Sequence, residues 1–177
     1  MTHVSFDRMN RRQLPRFQPG TSLLLRTLEF KYCGDVDEAM ESATHETMLT
    51  TLLMEYNQIV NLDALSGLTM LTDVGLGCNQ IADITAIGGM TTLRQLYLYK
   101  NAIVDVRPLS GLVNLCKLSL VNNRIIDVSP IAGLTNITEL CVYRNPIKNM
   151  EVIWHLFDED HSFDDDHWDE VRAPDGP

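Results

Sequence analysis

Apolar positions in this chain follow a period far longer than that of a helix or a strand. Asn57, Asn79, Asn101, Asn123 and Asn145 stand 22 residues apart, and the blocks that begin at Leu49, Leu71, Leu93, Leu115 and Ile137 align without a gap. Each block reads LxxLxLxxNxIxxIxxLxxL. In the third block the apolar positions are Leu93, Leu96, Leu98, Ile103, Val106, Leu109 and Leu112. The fourth repeats them as Leu115, Leu118, Leu120, Ile125, Val128, Ile131 and Leu134. A fixed period in this range marks an array of similar supersecondary units, each too small to bury its own apolar face.

Within a block, the alternation in LxLxx predicts a short strand with its leucines inward, and IxxIxxLxxL predicts short helical turns that fold back over them. Parallel strands stacked about 4.8 Å apart would then share one continuous core. The recurrent Asn falls where the chain leaves the strand, and its amide can satisfy backbone groups that would otherwise be buried unpaired. Asp83, Asp105 and Asp127 are expected as cap-like residues before the return turns, where Pro108 and Pro130 pre-set the backbone. Gly67, Gly89, Gly111 and Gly133 are expected to permit the return bend.

Five in-register copies of this pattern resemble the leucine-rich repeat family, in the 22-residue subclass shared by the phosphatase-1 regulatory subunit, an axonemal dynein light chain and the bacterial internalins. The stretch NRIIDVSPIAGLTNITEL, residues 123 to 140, is similar to internalin repeats. The resemblance covers residues 25 to about 156. It implies an α/β leucine-rich repeat solenoid, a curved right-handed horseshoe with a parallel sheet on the concave face and short 3-10 or helical turns on the convex face. It also implies a protein partner, such as a phosphatase catalytic subunit or a dynein heavy chain. The contact residues of those relatives cannot be matched here position by position.

Both ends depart from the pattern. Residues 25–48 read as a divergent first repeat, in which LRTLEFKYC places Cys33 in the Asn column, 24 residues before Asn57. Val36, Ala39, Met40 and Ala43 follow at helical spacing and predict an amphipathic helix. Residues 1–24 carry Arg8, Arg11, Arg12 and Arg16 with Pro15 and Pro19, and read as a basic, partly ordered arm rather than a nucleic-acid or anionic-lipid patch. At the other end, MEVIWHLF resembles the short covering helix of eukaryotic family members, with Trp154 and Phe157 as cap residues. Residues 157–177 form an acidic cap or tail with nine acids and one base, which accounts for −8 of the net charge of −10.

The exposed strand positions are the place to look for function. Glu29, Leu53, Gly75, Tyr97, Ser119 and Cys141 form one column, and Lys31, Glu55, Gly77, Tyr99, Val121 and Tyr143 the next. A third runs Tyr32, Tyr56, Cys78, Lys100, Asn122 and Arg144. The GLG at Gly75–Gly77 is not a phosphate loop, because the third glycine of GxGxxG is replaced by Gln80; it is expected to leave a dent in the sheet. The predicted partner-binding residues are Tyr56, Gly75, Gly77, Tyr97, Tyr99, Lys100, Tyr143 and Arg144, because aromatic residues and arginine anchor interfaces. Six strands offer a flat area on the order of 400 Å², below the ~800 Å² of a standard interface, so a stable partner would also touch a rim or tail.

Catalysis is not expected. No histidine lies between residues 49 and 154 to activate a thiol. His155, His161 and His167, with Asp160, Asp164, Asp165 and Asp166, suggest a metal-dependent enzyme only weakly, because a six-residue spacing matches no ligand turn. No metal or cofactor is therefore predicted. The acid excess argues against nucleic acid as main partner, no 18-residue apolar run suggests a membrane span, and no signal-peptide core precedes the repeats. Cys116 and Cys141 fall on adjacent strands three positions apart, about 11 Å, so no disulfide is expected and a reducing cytoplasmic setting follows. The sequon at Asn136 then reads as an accident of the repeat.

The expectation is a non-enzymatic scaffold that binds a partner protein through its concave sheet. The alternatives are a regulatory subunit of a phosphatase or motor protein, and an internalin-like adhesin or secreted effector. An acidic tail folding back onto Lys100, Lys117 and Arg144 is a further expectation.

Overall fold

The computed structural model of the chain describes residues 3–10, 12–14, 25–36, 40–41 and 48–157. Seven strands run in chain order through a single parallel sheet: β1 (His3–Asp7), β2 (Thr27–Lys31), β3 (Thr51–Leu53), β4 (Asp73–Gly75), β5 (Gln95–Tyr97), β6 (Lys117–Ser119) and β7 (Glu139–Cys141). The register places each framework residue opposite its counterpart one repeat away, so Leu52, Val74, Leu96, Leu118 and Leu140 form a row. Short 3-10 helices return the chain along the convex side: η1 (Asp63–Leu65), η2 (Thr85–Gly89), η3 (Arg107–Gly111) and η4 (Ser129–Ile131), with η5 (Met150–Leu156) at the end. This is the predicted curved leucine-rich repeat solenoid.

The inward columns form one apolar core from Leu25 to Leu156. At each corner the recurrent Asn ties two coils together. Asn123 Oδ1 accepts from the Ile103 N–H at 3.0 Å, and Nδ2 donates to Leu98 O and Leu120 O, each at 2.9 Å. Asn79, Asn101 and Asn145 repeat this arrangement. A buried peptide group without such a partner would cost about 1–3 kcal/mol, which accounts for the recurrence. Cys33 fills the same corner with a thiol that reaches Lys31 O at 3.2 Å and Phe6 O at 3.5 Å. On the convex side the carboxylates of Asp83, Asp105 and Asp127 accept from the N–H two residues on, closing Asx turns at 2.8 to 2.9 Å before η2, η3 and η4.

Three expectations change. The sheet starts one strand earlier than the repeat pattern, because Val4, Phe6 and Met9 lie 24 residues before Leu28, Phe30 and Cys33 and carry the same inward spacing. Phe6 stacks on Phe30 with ring centroids 5.1 Å apart. Trp154 does not cap the last coil and is 63% exposed; the three-residue turn of η5 sends Ile153 and Leu156 inward instead. Phe157 is half-buried. Gly67, Gly89, Gly111 and Gly133 are not needed for the bend, since a Cβ at each would meet open space and none has a left-handed φ. In the first repeat, the Met40 N–H donates to Val36 O at 2.8 Å and both side chains are buried, while Ala39 and Ala43 lie outside the described residues. So do Arg11, Arg16, Pro15, Pro19 and the tail from residue 158 on, with His161 and His167.

Candidate partner-binding face

The concave face is made by the outward positions of the seven strands and by the residues that follow each strand. Seven of those residues, Arg8, Tyr32, Tyr56, Cys78, Lys100, Asn122 and Arg144, have φ between 52° and 59°. A non-glycine residue in this left-handed region costs about 1–2 kcal/mol. The conformation turns the chain so that the next residue, the Asn or its Cys33 equivalent, points into the corner. Its outer neighbour is then held at the rim of the sheet, one side chain per coil and free to vary in type.

This rim carries an aromatic stack that adjacency alone does not disclose. Tyr32 and Tyr56 lie face to face with centroids 4.6 Å apart, and the Arg8 guanidinium stands 5.6 Å from the Tyr32 ring centroid. Both tyrosines remain open to solvent, at 50% and 41% exposure. Arg8 and Tyr32 are absent from the predicted site. The signal for Tyr32 was its place opposite Tyr56 in one column, and for Arg8 the same column carried one strand further.

The glycine strand does not leave an open dent. Gly75 and Gly77 are both buried, and the space above them is filled from the two neighbouring strands. The Glu55 side chain lies flat over Gly75, beside Leu53, and the Tyr99 ring lies over Gly77, so a Cβ at either glycine would overlap them. Glycine is required here for the close approach of those two groups. Tyr97 and Tyr99 therefore part company: the Tyr97 hydroxyl donates to Gln95 Oε1 at 2.9 Å, whereas Tyr99 lies near Tyr56 and Glu55. Burial above all, with Tyr56 and the Glu55 carboxyl nearby, pushes the Tyr99 hydroxyl well above its ordinary titration range. Tyr143 lies half-buried two strands beyond Tyr99 in the same column, and Lys100 and Arg144 are exposed at the rim. Tyr56, Tyr99, Gly75 and Gly77 thus form one cluster, while Tyr97, Tyr143 and Arg144 lie apart from it.

The charges next to this cluster are mostly paired. Lys31 Nζ meets Glu29 Oε1 at 2.7 Å, and Lys117 Nζ meets Glu139 Oε2 at 2.6 Å. Cys78 and Cys141 are half-buried, and burial raises both thiols, which keeps them protonated and poor as nucleophiles. All four cysteines carry free thiols, and the register sets Cys141 beside Ser119 rather than Cys116. His155 Nε2 is 2.9 Å from Ala132 O, on the convex side. Among the described residues no group of three or more His, Cys, Asp or Glu side chains is arranged to hold a metal ion, and no helix is long and apolar enough to cross a membrane. With seven strands the face spans on the order of 500 Å², which is still less than the ~800 Å² per partner of a standard interface.

Comparisons with known proteins agree with this geometry. The description Leucine Rich repeats (2 copies) matches residues 113–153. An internalin (inlF) of Listeria monocytogenes superposes with a TM-score of 0.69 at 28% identity, over 76% of this chain and 46% of that one. An internalin C2 (inlC2) of the same organism gives 0.66 at 25% identity, over 76% of this chain and 68% of that one. A leucine-rich repeat protein of Leptospira interrogans shares the fold with a TM-score of 0.69 at 20% identity, over 81% of this chain and 39% of that one. The chain thus spans less than half the length of the inlF internalin and of the Leptospira protein. A comparison with curated proteins finds no match.

Proposed function

This chain is a leucine-rich repeat protein, and on that premise we propose that it is a non-enzymatic, cytoplasmic scaffold that binds a partner protein through the concave sheet and its rim. The observation that carries the reading is the Tyr32–Tyr56 stack. Two large aromatic rings stay exposed on a rigid sheet although every framework position of the repeats is inward. Tyrosine provides broad, stiff contact area with a polar edge, the property that makes it an interface anchor. Because the face alone is small, the partner also touches a rim or a terminal segment.

A second reading, an internalin-like adhesin or secreted effector, draws support from the two internalins at 28% and 25% identity. A regulatory subunit of a phosphatase or motor protein is a special case of the scaffold reading. Affinity capture from native cell extract tests the proposal, with wild type and Tyr97→Glu/Tyr99→Glu as parallel baits after circular dichroism shows that both fold alike. A protein retained by the wild type alone supports the concave face. Equal recovery by both baits moves the site elsewhere.

A further inference from the structure

Glu55 Oε2 is buried and accepts no hydrogen bond among the described residues. Among the described residues it is the one buried side-chain nitrogen or oxygen without a hydrogen-bond partner, and the cation in its column, Lys31, is held by Glu29. Leaving a carboxylate oxygen desolvated and unpaired is costly, and a positive side chain brought to it recovers that cost on binding. The carboxylate lies over Gly75, beside the Tyr99 ring that covers Gly77, and Tyr56 is also near Tyr99. Tyr56 remains open to solvent, and Glu55 as a whole is partly exposed.

We propose that Glu55, flanked by Tyr56 and Tyr99, is the receptor for an arginine side chain of the partner protein. The inference rests on the scaffold reading and names the chemistry of its central contact. Arginine fits better than lysine, because a planar guanidinium stacks on a tyrosine ring while its fork donates to a carboxylate. The molecule already uses half of that chemistry one strand away, where Arg8 stands over Tyr32 and Tyr32 stacks on Tyr56. The net charge of −10 favours the approach of a basic segment.

The test uses the full chain and the peptide Ac-Gly-Gly-Arg-Gly-Gly-NH2, with twins in which citrulline or lysine replaces arginine, read by NMR shifts of the tyrosine rings. The arginine peptide is expected to shift Tyr56 and Tyr99 saturably. Citrulline, which lacks the charge, and Glu55→Gln, which keeps the shape, are each expected to weaken the effect by about tenfold or more. Absence of shifts, equal binding of arginine and citrulline, or wild-type binding by Glu55→Gln would each overturn the proposal; equal binding of lysine would overturn the choice of arginine. Adding Glu55→Gln as a third bait in the capture experiment separates the two ideas. A partner kept by Glu55→Gln but lost with Tyr97→Glu/Tyr99→Glu leaves the scaffold reading standing and removes the arginine contact.

Discussion

Cys33 and Asn123 occupy the same corner of two different coils. Asn123 joins its coil to the preceding one through an amide that both accepts and donates. Cys33 offers one weak donor to Lys31 O and Phe6 O, and its own N–H is taken by Asn57 Oδ1 at 2.8 Å. The chain then needs Gly34, with φ of 74°, to continue the turn. Every Asn corner, including Asn145 at the last strand, takes up backbone groups of a preceding repeat. At Cys33 the preceding strand is β1, the edge of the sheet, and a thiol with a glycine beside it is enough. Identity in this column follows from how many backbone groups the corner leaves unpaired.

The largest expected contrast lies in the core. Leu96→Ala, in the middle of the array, should cost about 2–5 kcal/mol, whereas Val4→Ala on half-buried β1 should cost about 1 kcal/mol. Denaturant midpoints of the two variants check this, and equal losses would mean that β1 is as central to the array as β5. Next is the corner itself. Asn123→Ala strands three backbone groups and should cost about 3 kcal/mol, against about 1 kcal/mol for Cys33→Ala. If the two variants melted together, the number of unpaired backbone groups would not set the residue in this column.

Glycines divide in the same manner. Gly77→Ala forces the Tyr99 ring off the sheet and should cost about 1 kcal/mol, while Gly89→Ala, in open space with an ordinary φ, should stabilise by about 0.5 kcal/mol. Thermal melts separate the two signs, and the Tyr99 ring resonances should move only in the first variant. Acid is the mildest probe. Asp83, Asp105 and Asp127 are held below the usual carboxylate range by the side chains of Thr85, Arg107 and Ser129 respectively, and by the backbone N–H of the same residues. With folded values below unfolded ones, their contribution is present above the ordinary carboxylate range and is lost as pH falls through the folded values. The triple Asp→Asn variant should flatten that part of the stability curve, and an unchanged slope would show that these turns do not couple to folding.

Much of this was legible because a repeat displays its own geometry many times over. The inward columns, the Asn corner, the strand register and the Asx turns each follow from one block and are then copied by the rest. The early strand was legible as well, in Val4, Phe6 and Met9, but it has a 24-residue offset and no asparagine to mark it. An aromatic residue in a terminal segment suggests a cap, but the three-residue turn of η5 buries Ile153 and Leu156 rather than Trp154.

The chain by itself determined the solenoid, the strands, and which side chains face in or out, because those features repeat a local pattern and stacking only multiplies it. Only the tertiary structure decided what the outward side chains do. Tyr99 over Gly77, Glu55 over Gly75, Tyr56 against Tyr32 and Tyr97 turned toward Gln95 are rotamer choices on an open surface. Most of them are made between residues one strand apart, where no local periodicity constrains them and the space left by a neighbouring glycine selects the outcome.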